Sequence, residues 1–119
     1  MCAAVAGFLG VALGAFAAHG LKTTFTPELL AVFETGVRYQ MYHAFALFAA
    51  AWRFVRWQTR VFAVAGGLFV AGILIFSGSL YLMAFSGARW LGAVTPIGGL
   101  AFLAGWLCLA WGAALKMRT

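Results

Sequence analysis

The sequence has almost no charge to present to water: of its 119 residues 8% are charged, and only two are acidic. A soluble domain carries about 25% charged residues, so this chain cannot coat a water-soluble globule of its own size. Disorder is excluded from the other side, because 66% of the residues are hydrophobic and disordered segments are poor in them. The two cysteines are too few for a disulfide framework. Cys2 at the amino end and Cys108 inside the last apolar run are expected at different depths, out of each other's reach. Cys108 reads as a small buried hydrophobe. The length allows one domain.

What the chain has instead is long apolar runs, with a mean hydropathy of +1.02. A helix needs about 20 apolar residues to cross a bilayer core of about 30 Å. Met1–Leu21 is uncharged for 21 residues, Val61–Ala88 for 28 and Trp90–Leu115 for 26. A fourth run, Tyr39–Trp52, is uncharged for only 14 residues, about 21 Å of helix. To cross, it must borrow residues upstream, which brings Arg38 and Glu34 toward membrane depth. Its start is marked by Thr26-Pro27-Glu28, an N-cap followed by proline at the first helical position and an acid in the first turn. The expectation is an all-α, four-helix transmembrane bundle in a single domain. Its spans are about 1–20, 37–54, 62–86 and 91–114, with an interfacial helix about 27–36 that precedes the second span, kinked at Gly36, or extends it. The first run lacks a basic n-region before it, so it reads as a span and not as a signal peptide.

The net charge of +6 and a pI near 10.2 would fit nucleic acid if the cations formed a stripe. They sit instead at the ends of apolar runs, so no nucleic-acid partner is expected. Arg53, Arg56, Arg60, Lys116 and Arg118 fall on one side, and Lys22, Arg38 and Arg89 on the other with Glu28 and Glu34. The positive-inside rule then puts both termini in the cytoplasm, with Trp52, Trp57, Trp90 and Trp111 at the interfaces.

Glycine is plentiful, at 15 residues. Gly7 and Gly14, then Gly98, Gly105 and Gly112, recur at a spacing of seven, and Gly10 with Gly14 forms a small-x-x-x-small pair. Seven residues are close to two turns, so each set lines one stripe where another backbone can approach. These stripes predict a compact bundle. They leave open whether the partner helix belongs to the same chain, a second copy or a larger membrane complex.

Polar side chains at membrane depth are few. Glu34 and Arg38 are four apart with the acid first, the favourable order on a helix, and Tyr42 follows on nearly the same face. Tyr39 and His43 form a second pair, rotated from the first, with Gln40 between; His19 ends the first span on the same side of the membrane. Together they are candidates for an outer-leaflet pocket that takes a small anionic or lipid-like ligand, since an ionisable group inside a span is a site hypothesis by default. The favoured alternative is structural: Glu34 and Arg38 contact each other and staple the second helix to its neighbours. His43 is expected to find a hydrogen-bond partner on the first or third span. Metal ligation is not expected, because His19 and His43 have only Glu34 as a third ligand and zinc sites use three or four. Ser77 and Ser79, mid-span, are expected to hydrogen-bond a facing helix. Thr95-Pro96-Ile97-Gly98-Gly99 lacks the Lys-Ser/Thr of a phosphate loop and reads as an irregular first turn. No cofactor and no catalytic residue is expected. The leading expectation is a non-enzymatic membrane protein acting by helix packing, as a homo-oligomer or accessory subunit in the lipid bilayer.

Four blocks, Gly14–Leu21, Phe33–Ala44, Phe76–Tyr81 and Thr95–Gly99, together resemble the YgdD-like family. Its members are small inner-membrane proteins of bacteria, with relatives in eukaryotes. The Glu-x-x-x-Arg-Tyr-Gln-x-Tyr-His block from Glu34 to His43 is the most specific of the four. The resemblance implies a four-span membrane protein and brings no activity, cofactor or catalytic residue. The chain departs from the pattern at Ala17, where glycine is favoured. Members also carry more residues before the first span, so a late start is expected here.

Overall fold

A computed structural model describes residues 1–118, and they form four long helices in up-and-down order. We label them α1 (Cys2–Leu21), α2 (Pro27–Trp57), α3 (Arg60–Ser86) and α4 (Arg89–Met117). By length and composition α1, α3 and α4 can each cross a membrane. The more polar first half of α2 keeps it out of that group, although at 31 residues it is the longest α-helix.

Local chemistry sets the boundaries. The Thr26 side chain accepts a hydrogen bond from the Leu29 N–H at 3.3 Å, and Pro27 and Glu28 follow in the first turn of α2. The helix then runs unbroken past Gly36. It stops at Gln58, a left-handed residue with φ 50° whose N–H donates to the Phe54 carbonyl. Only Gln58 and Thr59 separate α2 from α3. Two helices contain a π-turn, Ala17–Leu21 closing α1 and Ile73–Ser77 in the middle of α3. Helix α4 opens with a 3-10 turn, Arg89–Ala93, before its regular part from Thr95, so the irregular entry lies just upstream of the Thr95-Pro96 block.

The packing is sequential: α1 lies on α2, α2 on α3 and α3 on α4, while α1 and α4 occupy opposite edges. The expected compact bundle is therefore an open, flattened row of 54 × 26 × 17 Å. Two buried clusters hold it. Ala46, Leu47, Ala50, Ala65, Phe69 and Phe102 form one; Ala17, Leu21, Phe33 and Ala84 form the other, toward the α1–α2 loop.

The tightest seam joins α3 to α4. A Cβ added at Gly105 would lie 2.7 Å from the Phe69 ring, and one at Gly112 would lie 2.7 Å from the Phe62 ring. At Gly98 it would collide with the Phe76 backbone nitrogen. Phe62, Phe69 and Phe76 also repeat every seven residues, running opposite to the glycines. Each glycine is a notch for one phenylalanine. The relation is reciprocal at Gly72 of α3, whose missing Cβ admits the Phe102 ring of α4. In lipid, where apolar surface gains little by leaving the solvent, such close van der Waals contact is a principal source of helix affinity. The π-turn at Ile73–Ser77 adjoins this seam, and Phe76 within it presses backbone against Gly98.

Candidate functional site

Four buried polar side chains, Gln40, His43, Ser77 and Ser79, tie the row together at the middle. Gln40 is 4% exposed; its amide nitrogen donates to the Ala6 carbonyl of α1 at 2.8 Å, and its oxygen accepts from the Tyr81 hydroxyl of α3 at 2.7 Å. One side chain thus links three helices. Gly36 makes this possible. A Cβ there would sit 2.8 Å from the Tyr81 ring, so glycine lets that ring lie across α2 and reach Gln40 one turn on. The carbonyl of Gly36 also accepts from the Ser77 hydroxyl at 2.7 Å. Ser79, two residues along α3, faces the other way and shares a 2.6 Å hydrogen bond with Thr95 of α4.

His43 lies one turn beyond Gln40 and is 5% exposed. Its Nε2 accepts from the indole N–H of Trp106 at 3.2 Å, and its Nδ1 is 2.6 Å from the Tyr39 carbonyl. The indole can only donate and the carbonyl can only accept. The ring is therefore the neutral tautomer with its proton on Nδ1, and both nitrogens are satisfied. Its face stacks on Phe102 with centroids 3.4 Å apart. Phe102 reaches that position through the notch at Gly72. The partner of His43 comes from α4 and not from the first or third helix, because the histidine points across the face of α3.

The sequence-predicted cluster divides into separate places. Tyr39, Tyr42 and His43 face a groove of about 740 Å³ between α2 and α4, with Phe76, Phe102 and Trp106 among its other walls. The Tyr39 ring rests 4.7 Å from Phe76 and 5.8 Å from Tyr42. Neither tyrosine hydroxyl has a partner among the described residues. Glu34 and Arg38 lie on another side of α2, beside Gly14 of α1 in a shallow groove of about 310 Å³. Both are exposed and no ion pair joins them, so the expected staple is not formed. Gln40 turns into the core. His19 is exposed in the π-turn that ends α1, apart from all of these. Among the described residues no group of three or more His, Cys, Asp or Glu side chains is placed to hold a metal ion.

Of the glycines in α1, Gly10 faces the Met41 sulfur and Gly14 lies 3.3 Å, at its would-be Cβ, from Val37. Gly7 has open space. Sequence reasoning did not identify Tyr81 and Trp106, the partners that complete the polar ties. An aromatic within an apolar run gives no sign that its polar atom is in use. The glycine at 36, four before Gln40, was the nearest available signal, since it marks a close approach over the polar face.

Comparison with known proteins agrees with this picture of a helical membrane protein. The family model described as "Protein of unknown function (DUF423)" matches residues 13–99. A UPF0382 membrane protein of Haemophilus influenzae is 44% identical over 109 residues, covering 92% of this chain and 87% of the relative. The UPF0382 membrane protein YwdK of Bacillus subtilis is 43% identical over 107 residues, 89% of this chain and 87% of the relative. The UPF0382 inner membrane protein YgdD of Escherichia coli is 40% identical over 119 residues, 98% of this chain and 88% of the relative. No solved structure matches. With the family model spanning most of its length and these relatives aligned nearly end to end, the chain belongs to the DUF423 family of membrane proteins.

Proposed function

We propose that the protein is a non-enzymatic, four-span membrane protein that works through helix packing, as a homo-oligomer or as an accessory subunit. One observation carries this reading: the buried polar groups are engaged in holding helices to one another, while the row stays open at both edges. Gln40, His43, Ser77 and Ser79 each bond to a neighbouring helix. Helices α1 and α4 are each packed along one side only, and they turn Phe8, Val11, Leu103 and Leu107 outward.

Helix α2 belongs among the spans because its 31 residues, about 46 Å, run antiparallel between α1 and α3 with Gln40 and His43 at its middle turned inward. Both termini then lie on the side of Arg53, Arg56 and Arg60, which the positive-inside rule makes cytoplasmic. A reporter that is active only outside the cytoplasm, fused at the carboxyl terminus, should stay silent; activity there overturns the orientation. Native mass spectrometry of the protein extracted in mild detergent tests the packing role. A mass above one chain of 12.7 kDa, from a second copy or a bound protein, is expected. A bare monomer at every detergent concentration overturns it.

A second reading, binding of a lipid-like ligand, is favoured by the α2–α4 groove and the two unpartnered tyrosine hydroxyls on its wall. With Glu34 and Arg38 outside that groove, the ligand would be apolar with hydrogen-bonding groups and not anionic. A small-molecule adduct on the monomer, lost in Tyr39→Phe with Tyr42→Phe, would replace the packing reading with this one.

A further inference from the structure

The end of the molecule opposite Glu28 and Glu34 carries cations without side-chain carboxylates. Arg53, Arg56 and Arg60 sit on or beside the α2–α3 turn, and Arg118 ends the last helix near them. Glu34 is the nearest acid along α2, 19 residues before Arg53, roughly 28 Å away along the axis. That separation exceeds the screening length of about 8 Å at physiological salt. No acidic side chain is therefore placed to neutralise these arginines.

The turn that carries these arginines is fixed. The Gln58 side chain donates to the Val55 carbonyl at 3.2 Å, its backbone N–H donates to Phe54 at 2.7 Å, and the Thr59 hydroxyl donates to the Trp57 carbonyl at 3.1 Å. Trp57 stacks on Phe62, the first knob of the α3–α4 seam, with centroids 5.7 Å apart. The guanidinium carbon of Arg53 lies 4.7 Å from the Trp57 ring centroid and 5.9 Å from that of Trp52. Stacking over a ring leaves the N–H edge of a guanidinium available, and that edge matches a phosphate oxygen pair. Among the described residues nothing accepts from Arg53, Arg56 or Arg60, and Arg56 and Arg60 are exposed. Trp52 and Trp111, at this same end, are 60% and 64% exposed, as suits side chains at headgroup level.

We propose that the α2–α3 turn is a binding site for the phosphodiester headgroup of an anionic phospholipid, held by Arg53, Arg56 and Arg60 against the Trp52 and Trp57 rings. The charge is complementary and the three cations fall within eight residues. The tryptophans set the turn at the depth where lipid phosphates lie. The site is on the opposite side of the membrane from Glu34 and Arg38, and it does not depend on how the helices assemble.

The test is native mass spectrometry of the full-length protein in detergent with equimolar phosphatidylglycerol and phosphatidylcholine. Wild type should retain phosphatidylglycerol preferentially. Arg56→Gln with Arg60→Gln should reduce that preference by about fivefold per charge removed. Lys22→Gln with Arg89→Gln removes the same charge from the opposite end and should change it less than twofold. Arg53→Lys, which keeps the charge and loses the planar fork, should show an intermediate loss. The two double variants should unfold at the wild-type temperature, since no partner within the chain is lost with their side chains, and Arg53→Lys should do so as well because lysine keeps the cation beside the Trp57 ring. Equal losses in the two double variants would mean that net charge alone attracts the lipid, and the site would be refuted. An unchanged preference in the Arg56/Arg60 variant would refute it as well. Displacement of the lipid by millimolar inorganic phosphate would make it a free-anion site, which also overturns the lipid assignment.

Discussion

The two antiparallel pairs in this chain, α1 with α2 and α3 with α4, both use glycine to bring backbones together, and they use it differently. On α4 every glycine in the seven-residue series meets a phenylalanine, the ring of Phe69 at Gly105 and of Phe62 at Gly112 and the backbone of Phe76 at Gly98, because α3 carries phenylalanine at the same period. On α1 the series meets open space at Gly7 and a valine at Gly14, with a methionine at Gly10 between them, because α2 has no such repeat. A glycine stripe is thus only half of a seam. The facing helix must supply side chains of matching period, or the groove stays partly unfilled, as it does at Gly7 and beside Gly14.

The sharpest way to break the contrast is Gly98→Ala. The new Cβ meets the backbone of Phe76 inside the π-turn, and backbone cannot rotate away as a side chain can. A loss of about 3 kcal/mol, the upper end of overpacking costs, is expected in reversible unfolding from detergent or bicelles. Gly7→Ala, with nothing within 4 Å, should leave the same measurement unchanged. Equal effects at the two positions would mean that both stripes pack alike and that the α3–α4 seam is not special.

Much of this was legible in the sequence, and the limits have physical causes. Three of the helices follow from runs of apolar residues too long for anything else, and the start of α2 follows from Thr26-Pro27-Glu28. The α4 glycine period was legible too. Its partner could have been read from Phe62, Phe69 and Phe76, whose period matches it in reverse. The open row could not be read, because apolar faces look the same whether they touch a helix or lipid. At the candidate site, adjacency on α2 was legible and direction was not. Seven polar positions within one block and a neighbouring helix looked like one pocket. Steps of about 100° along α2 distribute its six residues instead to an α1 groove, the core and an α4 groove, while His19 stays apart at the end of α1.

The two pairs are joined at mid-height chiefly by α2, and Trp106→Phe probes its tie to α4. The variant keeps an aromatic ring beside Phe69, from which the indole now lies 5.4 Å, and removes the N–H that His43 accepts. His43 Nε2 would then be an unsatisfied acceptor facing the groove. Hydrogen bonds between membrane helices are worth about 0.6–2 kcal/mol, so a loss of about 1 kcal/mol is expected, smaller than at Gly98. His43→Phe in the Trp106→Phe background removes both partners and should recover part of it, since an unmade bond costs more than an absent one. No recovery would mean that the stacking on Phe102, and not the hydrogen bond, holds His43 in place.

The smallest expected effect lies on the loose side of the comparison, at Glu34 and Arg38. Acid four residues before base on one helix is the arrangement that favours a pair, and if the two were drawn into the membrane together each would strand the other when removed. Their exposure and lack of contact give a different expectation. In a double-mutant cycle, Glu34→Gln and Arg38→Met should each change stability little, and the coupling between them should fall within the roughly 0.3–0.5 kcal/mol scatter of independent sites. A coupling well above that, with the double variant more stable than Arg38→Met alone, would show that the pair closes in the bilayer. The gap beside Gly14 would then be filled by an ion pair, and the α1–α2 seam would hold by charge where α3–α4 holds by shape.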